Sequence, residues 1–306
     1  MDRVRELGRR LSNWGRWGER DERGTLNFVT PEVLLRAKAS VRRGKVFSLG
    51  LPIERDGPQI GQGGRTNPQH FMSALHVGYG ADPDGFRYND DVVLLPLQCA
   101  TQWDSLAHVY YGGTLYNGVP ASAVTSSGAS RNAIDAIGDG VVSRGVLLDI
   151  ARLQGVERLP PGFAIQPEHL MRAEQMQGVQ VEPGDVVLVR TGHITVFTRE
   201  QNREGYMRQM PGLGLACAEW LWERQVAAVA SDTSAVEVIP FEDPSTPLPF
   251  HLVCIRDMGL TLGEMFDLEA LAEDCAREGE WTCLLAAPVL KVRGGVGSPL
   301  NPLALR

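Results

Sequence analysis

Val92-Val93-Leu94-Leu95-Pro96-Leu97-Gln98-Cys99-Ala100-Thr101-Gln102-Trp103-Asp104-Ser105-Leu106-Ala107-His108-Val109 opens as an apolar run and changes within a few residues into a polar cluster. A short apolar run reads as a buried strand. The residues just past such a strand are where α/β proteins place their sites. Two carboxamides, a carboxylate and an imidazole fall between Gln98 and His108. On extended backbone Gln98, Gln102 and Asp104 share even spacing and one face, Cys99 points to the other, and His108 follows one turn or bend later. Two readings of this cluster stand. In one it is a convergent polar site; in the other the glutamines satisfy backbone groups and His108 is a half-buried structural histidine.

Working outward, Thr30, Pro31 and Gly44 bracket a short helix in TPEVLLRAKASVRRGK, with Thr30 as N-cap and proline in the first turn. VFSLGLPI (46–53) reads as a strand, and the Gly-, Pro-, Asp- and Asn-rich stretch 56–91 as a long loop with a strand near Leu75 to Val77. GVLLDIARL (145–153) and GDVVLVRTG (184–192) are glycine-bounded apolar runs of strand length. PEHLMRAEQ, LGLACAEWLWERQ and DLEALAEDCARE read as helices; VAAVASDT, FHLVCIRD (250–257) and WTCLLAAPVLKV read as strands. Strands alternate with helices in the second half and cluster with loops in the first, which predicts an α/β fold with a mixed sheet. No repeat or low-complexity linker divides the chain, so residues 1–306 are expected to form a single domain with an N-terminal arm, 1–30, and the long loop 56–91.

Composition narrows the function. Of 306 residues, 43% are hydrophobic and 22% charged, a globular balance. A net charge of −7 argues against a nucleic-acid partner, whose phosphates would be repelled. Lys38, Lys45 and Lys291 are the only lysines, and none sits in a phosphate-binding or Schiff-base motif. Five scattered cysteines without a C-x-x-C pair indicate neither a disulfide framework nor a structural zinc site. The charged first 23 residues lack an apolar core, and no long apolar run follows, so a cytoplasmic protein without membrane contact is expected. G-x-S-x-G, H-E-x-x-H and G-x-G-x-x-G are all absent; Gly212-Leu213-Gly214 breaks after its second glycine.

The segment from Gln98 to His108 resembles the signature H-x-G-T-H-x-D-x-x-x-H of the cyclase family, the group holding bacterial kynurenine formamidase and isatin hydrolase. Thr101, Asp104 and His108 match in register, Ala100 replaces glycine, and Gln98 and Gln102 stand at the first two histidines. The resemblance continues through RWGERDERGTLNFVTPE, HVYYGGTLYNG, RGVLLDIARLQG, GDVVLVRTGH, SDTSAVEV, HLVCIRDMGLTLGE and GSPLNP, in order along nearly the whole chain. It implies a swivelling β/β/α fold with a barrel-like sheet core. It also implies a homodimer or homotetramer in which the arm and long loop cross to a neighbour.

Carried over by position, the resemblance implies that Asp104, His251 and Glu264 hold a divalent metal, Zn or Mn, with Gln102 assisting, and that His108 transfers protons. A small cyclic or aryl amide would then be hydrolysed at its C–N bond. Such an ion lowers the pKa of water to about 7 and polarises a carbonyl, and an imidazole of reference pKa about 6.5 can move the proton. A glutamine offers only a neutral carbonyl oxygen where an imidazole is a strong nitrogen donor. Three outcomes therefore stay open: one metal on Asp104, His251 and Glu264; a harder ion such as Mn or Mg in an oxygen-rich site; or no metal. In the last case Asp104 orients His108, Gln98 and Gln102 bind a substrate carbonyl, and the chain is a lyase, a cyclase or a ligand-binding descendant without turnover.

Other residues carry weaker signals. Trp103 is expected either to wall a pocket for a planar substrate or to fill the core. Phe71, His76 and Tyr79 are candidates for a substrate lid on the long loop. Asp232 and Glu237 follow a strand toward the site, though turn capping suits Asp232 and Ser234. His70, His169 and His193 read as surface or structural, Trp220 and Trp222 as packing residues, and Cys99 as non-nucleophilic.

Overall fold

The computed structural model describes residues 1–306. Eleven strands carry the architecture: β1 (Val46–Ser48), β2 (Gln69–Gly78), β3 (Arg87–Leu94), β4 (Gln102–Asp104), β5 (Val141–Asp149), β6 (Val186–Arg190), β7 (Ala228–Ser231), β8 (Thr261–Glu264), β9 (Thr282–Ala287), β10 (Gly297–Pro299) and β11 (Leu303–Leu305). Nine of them form one curled sheet, a half-barrel, in the order β1-β11-β9-β5-β6-β7-β8-β4-β10. The four central strands, β5 to β8, run parallel, and antiparallel pairs flank them on both sides. The fold is therefore α/β with a mixed sheet, as the alternation of elements predicts.

Both faces of the parallel centre are covered, which explains why its strands read as unbroken apolar runs. In β6, Val187 and Val189 belong to one core of 31 buried residues, while Val186 and Leu188 belong to a second core of 24 on the opposite side. The longest α-helices are α1 (Asp2–Leu11), α2 (Pro31–Ala39), α3 (Pro167–Gln177), α4 (Cys217–Glu223) and α5 (Glu269–Glu278). Thr30 caps α2 by accepting from the Val33 N–H at 3.4 Å, and Pro31 opens it. None of the helices is long and apolar enough to cross a membrane.

Four sequence expectations need correcting. The N-terminal arm contains α1, whose Val4, Gly8 and Leu11 face inward at helical spacing. It packs on residues 252–258 of its own chain, where Asn13 Nδ2 donates to the Met258 carbonyl and Trp14 Nε1 to that of Arg256, both at 2.8 Å. The stretch 56–91 is more than a loop, because β2 and β3 pair antiparallel into a separate hairpin. Val92, Val93 and Leu94, expected as a buried strand, end that hairpin and are exposed; apolar character alone does not say which surface covers it.

FHLVCIRD is the fourth, a helix and not a strand. Pro249–His251 makes a first turn and Leu252–Met258 continues as a π-helix. Phe250, Val253, Cys254, Ile255 and Met258 are buried, so this helix is apolar on most sides and lacks the 3.6-residue periodicity that would distinguish it from a strand.

Candidate functional site

β4 is three residues long, and its pleat sorts them. Gln102 and Asp104 face one side of the sheet and Trp103 the other. Antiparallel register sets Glu264 of β8 opposite Gln102, and Gly263 opposite Trp103. Glu264 thus reaches the face that carries Asp104, and Gln102 Nε2 donates to Glu264 Oε2 at 2.7 Å and to Asp104 Oδ1 at 3.5 Å. Trp103 does not line a pocket. Its ring is fully buried, lies 5.1 Å from the Phe266 ring and donates from Nε1 to the Ala287 carbonyl at 3.1 Å. The missing side chain at Gly263 makes the room, since a Cβ there would collide with the indole.

His251 enters from the turn before the π-helix, a local winding often found at functional sites. Its Nε2 lies 3.3 Å from Glu264 Oε1 and 3.9 Å from Asp104 Oδ2. One potential ligand atom from each of Asp104, His251 and Glu264 lies within 4.8 Å of the others, and all three residues are buried. Asp104 Oδ2 and Gln102 Oε1 are buried with no hydrogen-bond partner. Two carboxylates, an imidazole and a free carboxamide oxygen form a donor set that could hold a divalent metal ion.

Electrostatics agree with a site built around positive charge. Burial pushes the Asp104 carboxyl above its usual range; His108 pulls it back and Glu264 raises it further. Burial opposes a charged His251, but hydrogen bonds to Glu237 and Glu264 outweigh it and raise its pKa to about 10. Glu237 accepts from the Phe250 and His251 N–H groups at 3.3 and 3.0 Å and holds His251 Nδ1, which leaves Nε2 toward the carboxylates. Val236, a β-branched residue at φ 54°, sets up this placement, and Met265 at φ 60° follows Glu264. Such strained backbone beside functional side chains is held by the surrounding packing.

The remaining candidates divide. His108 is half-buried, with Nε2 3.8 Å from Asp104 Oδ1 and 3.4 Å from the Arg65 guanidinium. Gln98 Nε2 is buried and unpartnered, and it crosses over Gly297, the residue paired with Asp104. Phe71 stands on the exposed hairpin beneath the Arg55 guanidinium, 5.1 Å from its ring centre, and Tyr79 is farther along at 79% exposure. Asp232 caps the turn after β6, a neighbouring strand, and not a turn of its own segment, accepting from the Thr191 and Gly192 N–H groups and the Thr191 hydroxyl, while the Ser234 hydroxyl donates to Met210 Sδ. Cys99 is buried and its thiol pKa is pushed up to about 11, far from a nucleophile's. Arg65 carried no signal in the sequence, because it lies in a polar loop with no motif around it.

Residues 47–238 match the model of the Cyclase family. The crystal structure of a novel cyclase is 38% identical, covers 98% of this chain and 99% of its own, and superposes with a TM-score of 0.90. This chain belongs to the Cyclase family. Two further structures share the cyclase fold at lower identity. Isatin hydrolase A from Ralstonia solanacearum is 19% identical, with a TM-score of 0.65 over 90% of this chain and 97% of its own. A "predicted metal-dependent hydrolase" from Bacillus stearothermophilus is 16% identical, with a TM-score of 0.56 over 86% and 98%. No curated protein matches this chain.

Proposed function

We propose that this member of the Cyclase family is a metal-dependent hydrolase that opens the C–N bond of a small cyclic or aryl amide, with one divalent ion, Zn or Mn, on Asp104, His251 and Glu264 and assistance from Gln102. The observation that carries this reading is the convergence of those three ligands beside the two unpartnered oxygens of Asp104 and Gln102. When bound, the ion supplies acidified water and Lewis-acid polarisation of a carbonyl.

The chain's own groups do the rest. Glu237 fixes the His251 tautomer so that Nε2 faces the carboxylates. His108, at the half-open edge of the site, takes a proton from the attacking water at Nε2 and returns it to the leaving nitrogen, and the Asp104 carboxylate, 3.8 Å from the same nitrogen, balances the positive charge the ring gains. Gln98 Nε2 offers a donor to a substrate carbonyl, and Phe71 closes the outer wall. The family resemblance adds a homodimer or homotetramer, for which the exposed apolar side chains of the hairpin offer a surface.

One observation favours a second reading. Gln102 Nε2 lies between the two carboxylates and donates to both, a position in which it satisfies them without a cation. A metal-free lyase or cyclase using His108, or a ligand-binding descendant, would keep that arrangement. Elemental analysis of protein purified without a metal-affinity step separates the two. About one ion per chain, lost in Asp104→Asn and His251→Ala, supports the hydrolase; a folded protein with no ion and no response to chelators supports the second reading.

A further inference from the structure

Arginine is the dominant cation of this chain, and most of its guanidinium groups have carboxylate partners. The cleft of about 610 Å³ lined by Arg152, Arg158, Arg190 and Arg199 shows the pattern: each pairs with an acid, Asp149, Glu200 or Glu269. That cleft is internally neutralised.

Arg65 differs. Its guanidinium makes no ion pair, and its only side-chain hydrogen-bond contact is the 3.4 Å approach to His108 Nε2. It lines a concavity of about 490 Å³ together with Arg55, Gln59, Asn67 and Phe71, and no acidic residue contributes to the wall. Arg55 is equally free of carboxylates, donating to the His70 carbonyl and lying over Phe71. In a chain of net charge −7, a recess walled by two arginines and no acid is locally basic, although Arg65 also acts on the buried Asp104 behind His108 and pulls its carboxyl pKa down. Gln59 spans from this recess to the site, since its Nε2 donates to the Gln98 carbonyl at 3.0 Å, and the Gln98 Nε2 donor beyond it is buried and unpartnered.

We infer that Arg65 is a specificity-determining residue that receives a carboxylate on the substrate, so that the preferred substrate is an anionic aryl or cyclic amide entering through the recess that Arg55 and Phe71 help to wall. Its planar fork matches a carboxylate in two hydrogen bonds and holds the charge next to His108. The inference rests on the hydrolase reading for the fate of the substrate, but not for its charge.

The test uses the full-length, metal-loaded protein with formanilide and its ortho-carboxylate, 2-formamidobenzoate, in wild-type, Arg65→Gln and Arg65→Lys forms. Wild type is expected to favour the carboxylate. Arg65→Gln should raise KM for it roughly 10- to 100-fold while leaving the formanilide KM within about twofold, and Arg65→Lys should restore part of the loss. Equal losses on both substrates, or no preference in wild type, overturn the inference. If neither amide is hydrolysed, calorimetry with benzoate and benzamide decides the anion site alone. Benzoate binding that exceeds benzamide binding in wild type and disappears in Arg65→Gln supports it; no benzoate binding in wild type overturns it.

Discussion

Glu237 and His251 are joined twice: the Glu237 carboxylate accepts the His251 backbone N–H at 3.0 Å and pairs with the same residue's Nδ1. One carboxylate thereby sets both the path of the chain and the tautomer of the ring. Glu237→Gln should keep the fold but weaken metal binding about 10- to 100-fold, the usual cost of losing such a partner. Titration of apo protein with Zn or Mn measures it; unchanged affinity would mean that Glu237 serves the fold alone.

The same pair predicts how the metal-free protein responds to pH. His251 has its pKa raised from 6.5 to about 10. The stability it contributes is therefore fully present below about pH 6.5 and lost as pH rises through about 10. Urea midpoints of the apo protein should fall across that window, and the fall should shrink in Glu237→Gln. A metal ion held by His251 would take the place of its proton, so metal-loaded protein should show a flatter profile.

His108 stands outside the ligand cluster, at the edge that reaches solvent. His108→Asn should lower kcat about 10²- to 10⁴-fold, the range of a general acid–base group, while metal content stays that of wild type. Loss of metal in this variant would move His108 into the ligand set.

Trp103→Ala should destabilise the protein by about 3–5 kcal/mol, as expected for an aromatic side chain removed from a close-packed core. Gly263→Ala should also be destabilising, because the new methyl would meet the indole and the Ala230 side chain. Equilibrium unfolding in urea gives both values, and a neutral Gly263→Ala would show that the ring can shift.

The hairpin exposes Phe71, Met72, Leu75, Val77, Tyr79, Val92, Val93 and Leu94. Light scattering on the eluting protein should give two or four times the chain mass, and charged substitutions at Val92 and Leu94 should reduce it. A monomer in wild type would remove the oligomer from the proposal.

Legibility in the sequence followed the strength of local signals. The α2 boundary could be read from Thr30 and Pro31 because a cap and a proline act over three residues. β6 could be read because a parallel strand buried on both faces is uniformly apolar. Even spacing put Gln102 and Asp104 on one face, as a pleat requires, but it does not extend to Gln98, because residues 97–100 form turns and bends instead of extended backbone. His251 could be named but not placed on its element, because a helix buried on most sides and a strand share the same apolar text. Glu237 could be read as following a strand toward the site but not as the partner of His251, which lies 14 residues on and meets it through tertiary packing alone. Arg65 depends on a fold that carries a polar loop back to residue 108, a relation that no local pattern encodes.

Three residues of β4 place two polar groups above the sheet and one anchoring ring beneath it. Mutational routes to greater stability and to altered activity therefore converge on one short span of backbone. A variant that loosens Trp103 will also displace Asp104, and selection on either property will be felt by the other.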